Sequence, residues 1–178
     1  HSWCVESLYA NVPGLKIAIP YDPFDAKGML KTAIRDDNPV FFMESERLLS
    51  TTGEVPEEEY TVPFGNALIR RPGTDCTIIG FGRPLHFCLQ AADELAKEGI
   101  DCEVIDGRTI RPLDLDTFAV SVRRTNVAVV VDQSWPMASI GSEIAARLHE
   151  ICFDDLDNFV HRVHSADVPA PYASHLEQ

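Results

Sequence analysis

"DAKGMLKTAIRDDNPVFFME", residues 25–44, decides the fold class of this chain. Ala26, Leu30, Ala33 and Ile34 recur at helical spacing, which predicts a helix with one buried face. The pattern stops in Arg35, Asp36, Asp37 and Asn38. Pro39 then forces the backbone out of the helical region. An apolar run follows at once, so "PVFFME" (39–44) reads as a strand buried on both sides. Upstream, "LKIAIPY" (15–21) reads as a strand ended by Pro20. Asp22 is placed to cap the helix and Pro23 to open it, and the carboxylate of Asp25 meets its positive end. Strand, helix, strand is one unit of an α/β sheet.

Outward from this unit the character changes and then recovers. "TTGEVPEEEYTVP" (51–63) has two prolines, four glutamates and no periodicity, and residues 47–63 read as a linker. From Gly65 the alternation is regular. "NALIRR" and "CTIIGF" are strands, and Leu85, Cys88, Leu89, Ala92 and Leu95 mark an amphipathic helix closed by Gly99. "DCEVID" (101–106) is a strand, Asp114 caps a helix through Phe118 and Val122, and "NVAVVVD" (126–132) reads as a central parallel strand. Ile140, Ile144, Leu148, Ile151 and Cys152 form another helix face, and "NFVHRVH" (158–164) a last strand. This order predicts right-handed β-α-β units in a three-layer α/β domain.

The 178 residues are 45% hydrophobic and 24% charged, enough for a real core. A net charge of -13 argues against a nucleic-acid partner, which requires surplus Lys and Arg. No apolar stretch approaches the roughly 18 residues of a membrane span, so no membrane partner is expected. Cys4, Cys76, Cys88, Cys102 and Cys152 are odd in number and contain no C-x-x-C pair, which suits free thiols in a reducing, intracellular compartment. The chain opens at His1, directly on a helix-like segment, and reads as one cut in the middle.

Gly80 and Gly82 in "IIGFGRP" occupy a strand-to-helix turn, the place of a phosphate loop, but lack the third glycine and a P-loop lysine. A tight β-α turn is the default reading there. His161 and His164 are three apart on an expected strand and leave by opposite faces, which disfavours a shared metal. His86 and His149 stand alone on helices. No serine nucleophile elbow, H-E-x-x-H or paired-carboxylate motif is present. The stop at "AIRDDNP" has two readings. The last turn of a helix leaves carbonyl oxygens unpaired at a negative dipole end. Such a turn is either a plain cap or, with an Asp close by, a site for a hard cation.

Several segments together resemble one family. They are "HS" at 1–2, "VPGLK" at 12–16, residues 25–44, "RTIRPLD" at 108–114, "WP" at 135–136, "GSEIAARL" at 141–148 and "ADVPAPYA" at 166–173. In order over nearly the whole chain, they resemble the β subunits of thiamine-dependent 2-oxo acid dehydrogenases. Trp135-Pro136 and "ADVPAPYA" are most similar to the pyruvate-using branch.

The resemblance implies a layout. Residues 1–46 would be the second half of a transketolase-like pyrimidine-binding domain, 47–63 a linker, and 64–178 a transketolase C-terminal domain. It implies thiamine diphosphate shared with an α subunit, Mg2+ held through that α subunit, and an activating glutamate in a preceding segment outside this sequence. It also implies a structural K+ held by oxygens of Ala33, Ile34, Asp36 and Asn38, with Arg35 paired elsewhere. His1 matches a histidine that faces the cofactor and donates a proton during transfer to the lipoyl group. The family carries Gln where this chain has Trp3. Implied partners are an E1 α subunit, a second β subunit, and the subunit-binding and lipoyl domains of E2, in a mitochondrial matrix or a bacterial cytoplasm. A branched-chain or acetoin dehydrogenase β subunit, or a non-catalytic assembly module, remain open beside the pyruvate reading.

Overall fold

The computed structural model describes residues 4–171 and residue 173. Its elements are α1 (Glu6–Ala10), β1 (Lys16–Ala18), α2 (Pro23–Arg35), β2 (Val40–Phe42), β3 (Leu68–Arg71), β4 (Cys76–Gly80) and α3 (Pro84–Lys97). They continue with β5 (Cys102–Asp106), β6 (Thr109–Arg111), α4 (Leu115–Thr125), β7 (Ala128–Val131), α5 (Ile140–Cys152) and β8 (His161–Val163).

The capping residues act as their chemistry dictates. Asp22 accepts a hydrogen bond from the Asp25 N–H at 2.8 Å with Pro23 in the first turn of α2. Asp114 accepts from the Thr117 N–H at 3.1 Å to start α4. Gly99, at φ +84°, takes the left-handed conformation that ends α3.

Two sheets result. The smaller has the order β2-β1-β6, with β1 and β2 parallel across the α2 crossover and Lys16 opposite Val40. The larger has the order β3-β5-β4-β7-β8, parallel except for the edge strand β3. Side chains of β4 alternate between two cores, as a strand requires. Ile78 joins Leu85, Cys88 and Ala92 of α3 in one core, while Ile79 joins Phe118, Val122, Ile144 and Leu148 of α4 and α5 in the other. Helices thus cover both faces, giving the expected three layers.

Four expectations need correction. β2 is not buried on both faces: Val40, Phe41 and Phe42 are all half-buried, because β2 is the sheet edge among the described residues. β4, not β7, is the central strand of the larger sheet. β3 runs antiparallel to β5, outside the β-α-β pattern. "RTIRPLD" contains a strand that hydrophobic pattern did not reveal: β6 crosses from the larger sheet to pair antiparallel with β1. Ile17, Ile19 and Ile110 therefore belong to the same core as Phe118 and Leu148.

The stretch read as a linker has a 3-10 turn at Glu46–Leu48 and is bound along α2. Val62 is buried with Ala18 and Met29. The Tyr60 hydroxyl donates to the Phe24 carbonyl at 3.0 Å, and Thr32 Oγ1 donates to the Val62 carbonyl at 2.7 Å. Gly28 makes room for this strap, since a Cβ there would lie 2.5 Å from Val62 Cγ2.

Candidate functional site

The end of α2 brings Ala33, Ile34, Asp36 and Asn38 onto one short turn. Asp36 leaves the helix in an extended conformation, and its N–H still donates to the Ala33 carbonyl at 3.3 Å. β1 runs alongside and delivers Lys16, whose Nζ donates to Asp36 Oδ2 at 2.5 Å. Asp36 Oδ1 accepts from the Asn38 N–H at 2.9 Å and from Asn38 Nδ2 at 3.0 Å. The Lys16 hydrogen bond and then those from Asn38 pull the Asp36 carboxyl down to about 2. Both carboxylate oxygens are thus engaged. Among the described residues no donor reaches the carbonyls of Ile34, Asp36 or Asn38. Oxygen donors without partners at the negative end of a helix fit a monovalent cation held by main-chain carbonyls. Arg35 pairs elsewhere, as expected: its Nη2 lies 2.6 Å from Glu59, which also holds Lys31 at 2.6 Å.

The other expected site residue, His1, lies outside the described residues. Gly80 and Gly82 have packing roles. A Cβ on Gly80 would meet Cys88 Sγ at 2.9 Å, and one on Gly82, at φ +51°, would meet Ile19 Cγ2 at 2.7 Å. Pro84 opens the following helix without an N–H, so this turn is a poor phosphate cradle. His149 is structural: Nδ1 lies 2.7 Å from the Ala145 carbonyl, and Nε2 accepts from the Val160 N–H at 3.3 Å, which fixes the proton on Nδ1. Among the described residues no group of three His, Cys, Asp or Glu side chains could hold a metal. All five cysteines are free. Burial raises the thiols of Cys4, Cys76 and Cys88 to about 12 and opposes thiolate chemistry there.

One constellation went unread in the sequence. Asp25 is fully buried and accepts from Arg108 Nε at 3.0 Å, Arg108 Nη2 at 2.8 Å and Arg70 Nη2 at 2.5 Å. Arg70 also donates to Asp22 at 2.6 Å and, through Nε and Nη2, to Asp106 Oδ2 at 3.1 and 2.8 Å. Two guanidinium groups here face three carboxylates. Burial drives the Asp106 carboxyl up to about 6, against the pull of Arg70. The signal lay in residue type alone: each partner comes from a different segment, so no local spacing announces them.

The β-α-β unit with its carbonyl-rich helix end and the three-layer domain joined to it by β6 and this ion-pair cluster define a transketolase-type architecture. The chain belongs to the family described as "Transketolase, C-terminal domain", which it matches over residues 65–178. Residues 1–52 match "Transketolase, pyrimidine binding domain". The resemblance to 2-oxo acid dehydrogenase β subunits is met by curated relatives. The "Pyruvate dehydrogenase E1 component subunit beta, mitochondrial" of Dictyostelium discoideum is 48% identical over 181 residues, covering 99% of this chain and 51% of that protein. The Rhizobium meliloti (strain 1021) subunit beta is 46% identical, covering 100% and 39%. The Homo sapiens mitochondrial protein is 46% identical, covering 99% and 51%. The chain spans about half or less of the length of these relatives. A solved "Split gene transketolase, inactive beta4 tetramer" shares the fold, with a TM-score of 0.75, 24% identity, and coverage of 92% of this chain and 52% of that one.

Proposed function

We propose that these residues are part of the β subunit of pyruvate dehydrogenase E1, which decarboxylates pyruvate oxidatively and acetylates lipoyl-E2. The observation that carries the proposal is identity of 46–48% to three such subunits along 99–100% of the chain, through both expected regions. In this reading residues 1–46 belong to the pyrimidine-binding domain, 47–63 connect it, and 64–178 form the C-terminal domain. Thiamine diphosphate, when bound, supplies the carbanion chemistry. No residue of this segment is assigned to it. The diphosphate and its Mg2+ are assigned to the α subunit, as in the family.

This chain's own contributions are structural and protonic. Ala33, Ile34, Asp36 and Asn38 hold a K+ through oxygens and brace the turn between α2 and β2. The unpartnered carbonyls at this helix end support that assignment. His1 supplies a proton during transfer to the lipoyl group, a task suited to an imidazole that titrates near neutrality. The working form is a heterotetramer with E1 α, placed in a mitochondrial matrix or a bacterial cytoplasm. The net charge of -13 suits docking of a basic E2 subunit-binding domain.

The test is reconstitution of the full-length chain with an E1 α subunit, thiamine diphosphate and Mg2+, followed by native mass spectrometry and a 2-oxo acid profile. A tetramer that prefers pyruvate is the expected result, with no turnover by residues 1–178 alone. Preference for branched-chain acids or acetoin would select the neighbouring specificity, and turnover by the isolated segment would overturn the assignment.

A further inference from the structure

Cys76 opens β4 and Cys102 opens β5, and the parallel register of the two strands sets them directly opposite each other. Paired residues of neighbouring strands point to the same face of a sheet. Both side chains accordingly join the core under α3, beside Ile78 and Val104. Neighbouring strands lie about 4.7–4.9 Å apart, inside the roughly 4.4–6.8 Å between Cα atoms that a disulfide spans. The two thiols also act on each other. Burial is the main cause of the rise in both, and beyond it Cys102 raises Cys76 while Cys76 lowers Cys102.

The remaining cysteines are out of reach of this pair. Cys88 packs against Gly80, four residues further along β4 and so about 13 Å from Cys76. Cys152 belongs to the core on the opposite face of the sheet. Cys4 lies near Asp132, beyond the far end of β7. Cys76 is partly exposed and follows the exposed Thr74 and Asp75, whereas Cys102 is fully buried. A solute therefore meets Cys76 first, and Cys102 is reached only through it.

We propose that Cys76 and Cys102 are a dithiol–disulfide couple, oxidised by low-molecular-weight disulfides such as oxidised glutathione. The Cys76 sulfur attacks one sulfur of the small disulfide, breaks its S–S bond and releases one thiol, leaving a mixed disulfide. The Cys102 sulfur then attacks the Cys76 sulfur, closes the Cys76–Cys102 bond and releases the second thiol. The proton of each attacking thiol passes to a departing thiolate, and the small disulfide gains the two electrons that the protein loses. The Cys76 thiol, pushed up to about 12, makes the first exchange slow at neutral pH, while the pairing of the two sulfurs governs the equilibrium. The product fastens β4 to β5 across α3. The couple is separate from the end of α2 and does not depend on the proposed pyruvate chemistry.

The experiment equilibrates the full-length protein, in mildly alkaline buffer, with glutathione at a series of reduced-to-oxidised ratios. Acid quenching, alkylation in denaturant and non-reducing peptide mass mapping then locate every bond. The expected product is a peptide pair joined through Cys76 and Cys102, lighter by two hydrogen atoms and reverted by dithiothreitol. Its fraction should follow oxidised glutathione over the square of reduced glutathione. Cys76→Ser, at the partly exposed member, should fold and leave Cys102 a free thiol at every ratio. Full alkylation of both cysteines across the series overturns the proposal. So does a Cys76 halted as the mixed disulfide, which means that Cys102 does not resolve it, and so does linkage of Cys76 to any other cysteine. Uptake of glutathione by Cys102 in folded Cys76→Ser overturns entry through Cys76.

Discussion

Asp25 and Arg108 stand 83 positions apart in the chain and are joined by two hydrogen bonds, Nε to Oδ2 at 3.0 Å and Nη2 to Oδ1 at 2.8 Å. The pair ties the first turn of α2 to the loop between β5 and β6, and Arg70 adds a third segment at 2.5 Å. Removing one partner of a buried pair leaves an uncompensated charge and costs about 3–5 kcal/mol. Arg108→Met should therefore destabilise the full-length protein by that order in urea unfolding. Arg108 holds φ +58°, a conformation that glycine adopts readily. Arg108→Gly relaxes the backbone yet should remain strongly destabilised, because the guanidinium is what matters. Recovery to wild-type stability in the glycine variant would assign the effect to strain instead.

Asp106 gives the same cluster a pH dependence of defined sign. Its carboxyl rises from an ordinary 3.8 to about 6 in the folded protein. Between those values the folded state binds a proton that the unfolded chain releases. The contribution of Asp106 thus favours folding fully below about pH 4 and is lost as pH rises through 6. The shift corresponds to on the order of 3 kcal/mol. Relative to Asp106→Asn, the wild type should lose stability between pH 4 and 7, as measured by urea midpoints across that range. Parallel curves for the two proteins would rule this out.

The alternating elements were legible because period and caps are local. Leu85, Cys88 and Ala92 could face only one way, and Asp22 and Asp114 could cap only the helices that follow them. The turn at Ala33 to Asn38 was legible for the same reason, since a proline-terminated helix end is a feature of contiguous residues. What escaped was non-local. β6 is three residues long and pairs with a strand over 90 positions earlier, so no pattern within it distinguishes strand from loop. Asp25 read as a helix-terminus charge because its arginines lie on β3 and after β5. Glu103 lies in a segment read only as a strand, and the fold sets it beneath α4, paired with Arg124 through one carboxylate oxygen, the other having no hydrogen-bond partner among the described residues.

The strap along α2 makes a prediction that a loose linker would not. A methyl group on Gly28 would meet Val62 Cγ2 at 2.5 Å and Tyr60 Cε2 at 2.8 Å. Gly28→Ala should improve helix propensity by less than it overpacks this contact, for a net loss of about 1–3 kcal/mol. The released segment, residues 49–62, should then be cut faster in limited proteolysis, with the cuts mapped by mass spectrometry. Unchanged cleavage with unchanged stability would mean that the strap is not held there.

His1 separates two half-reactions if its proposed role is right. His1→Gln should leave pyruvate decarboxylation, read with an artificial electron acceptor, near the wild-type rate. Transfer to a lipoyl domain should fall by about 10²–10⁴, the usual contribution of a positioned general acid. Equal loss in both assays would make His1 a general structural residue of the cofactor face.

The end of α2 tests the cation assignment through stability. Lys16 and Asn38 occupy both oxygens of the Asp36 carboxylate, so the oxygens left for K+ are main-chain carbonyls. Such a site depends on the shape of the turn more than on any one side-chain charge. Asp36→Ala removes the anchors that fold the turn against β1 while leaving every carbonyl in the sequence. Binding to the folded state adds RT ln(1 + [K+]/Kd), about 2.7 kcal/mol at a hundredfold excess over Kd. Replacing K+ by tetramethylammonium at constant ionic strength should therefore lower the thermal midpoint of the full-length wild type by several degrees. The Asp36→Ala variant should start lower and show little response to K+. A wild-type midpoint indifferent to the exchange would leave Ala33, Ile34, Asp36 and Asn38 as a helix cap without an ion. A response retained in full by Asp36→Ala would place the ion somewhere else in the protein.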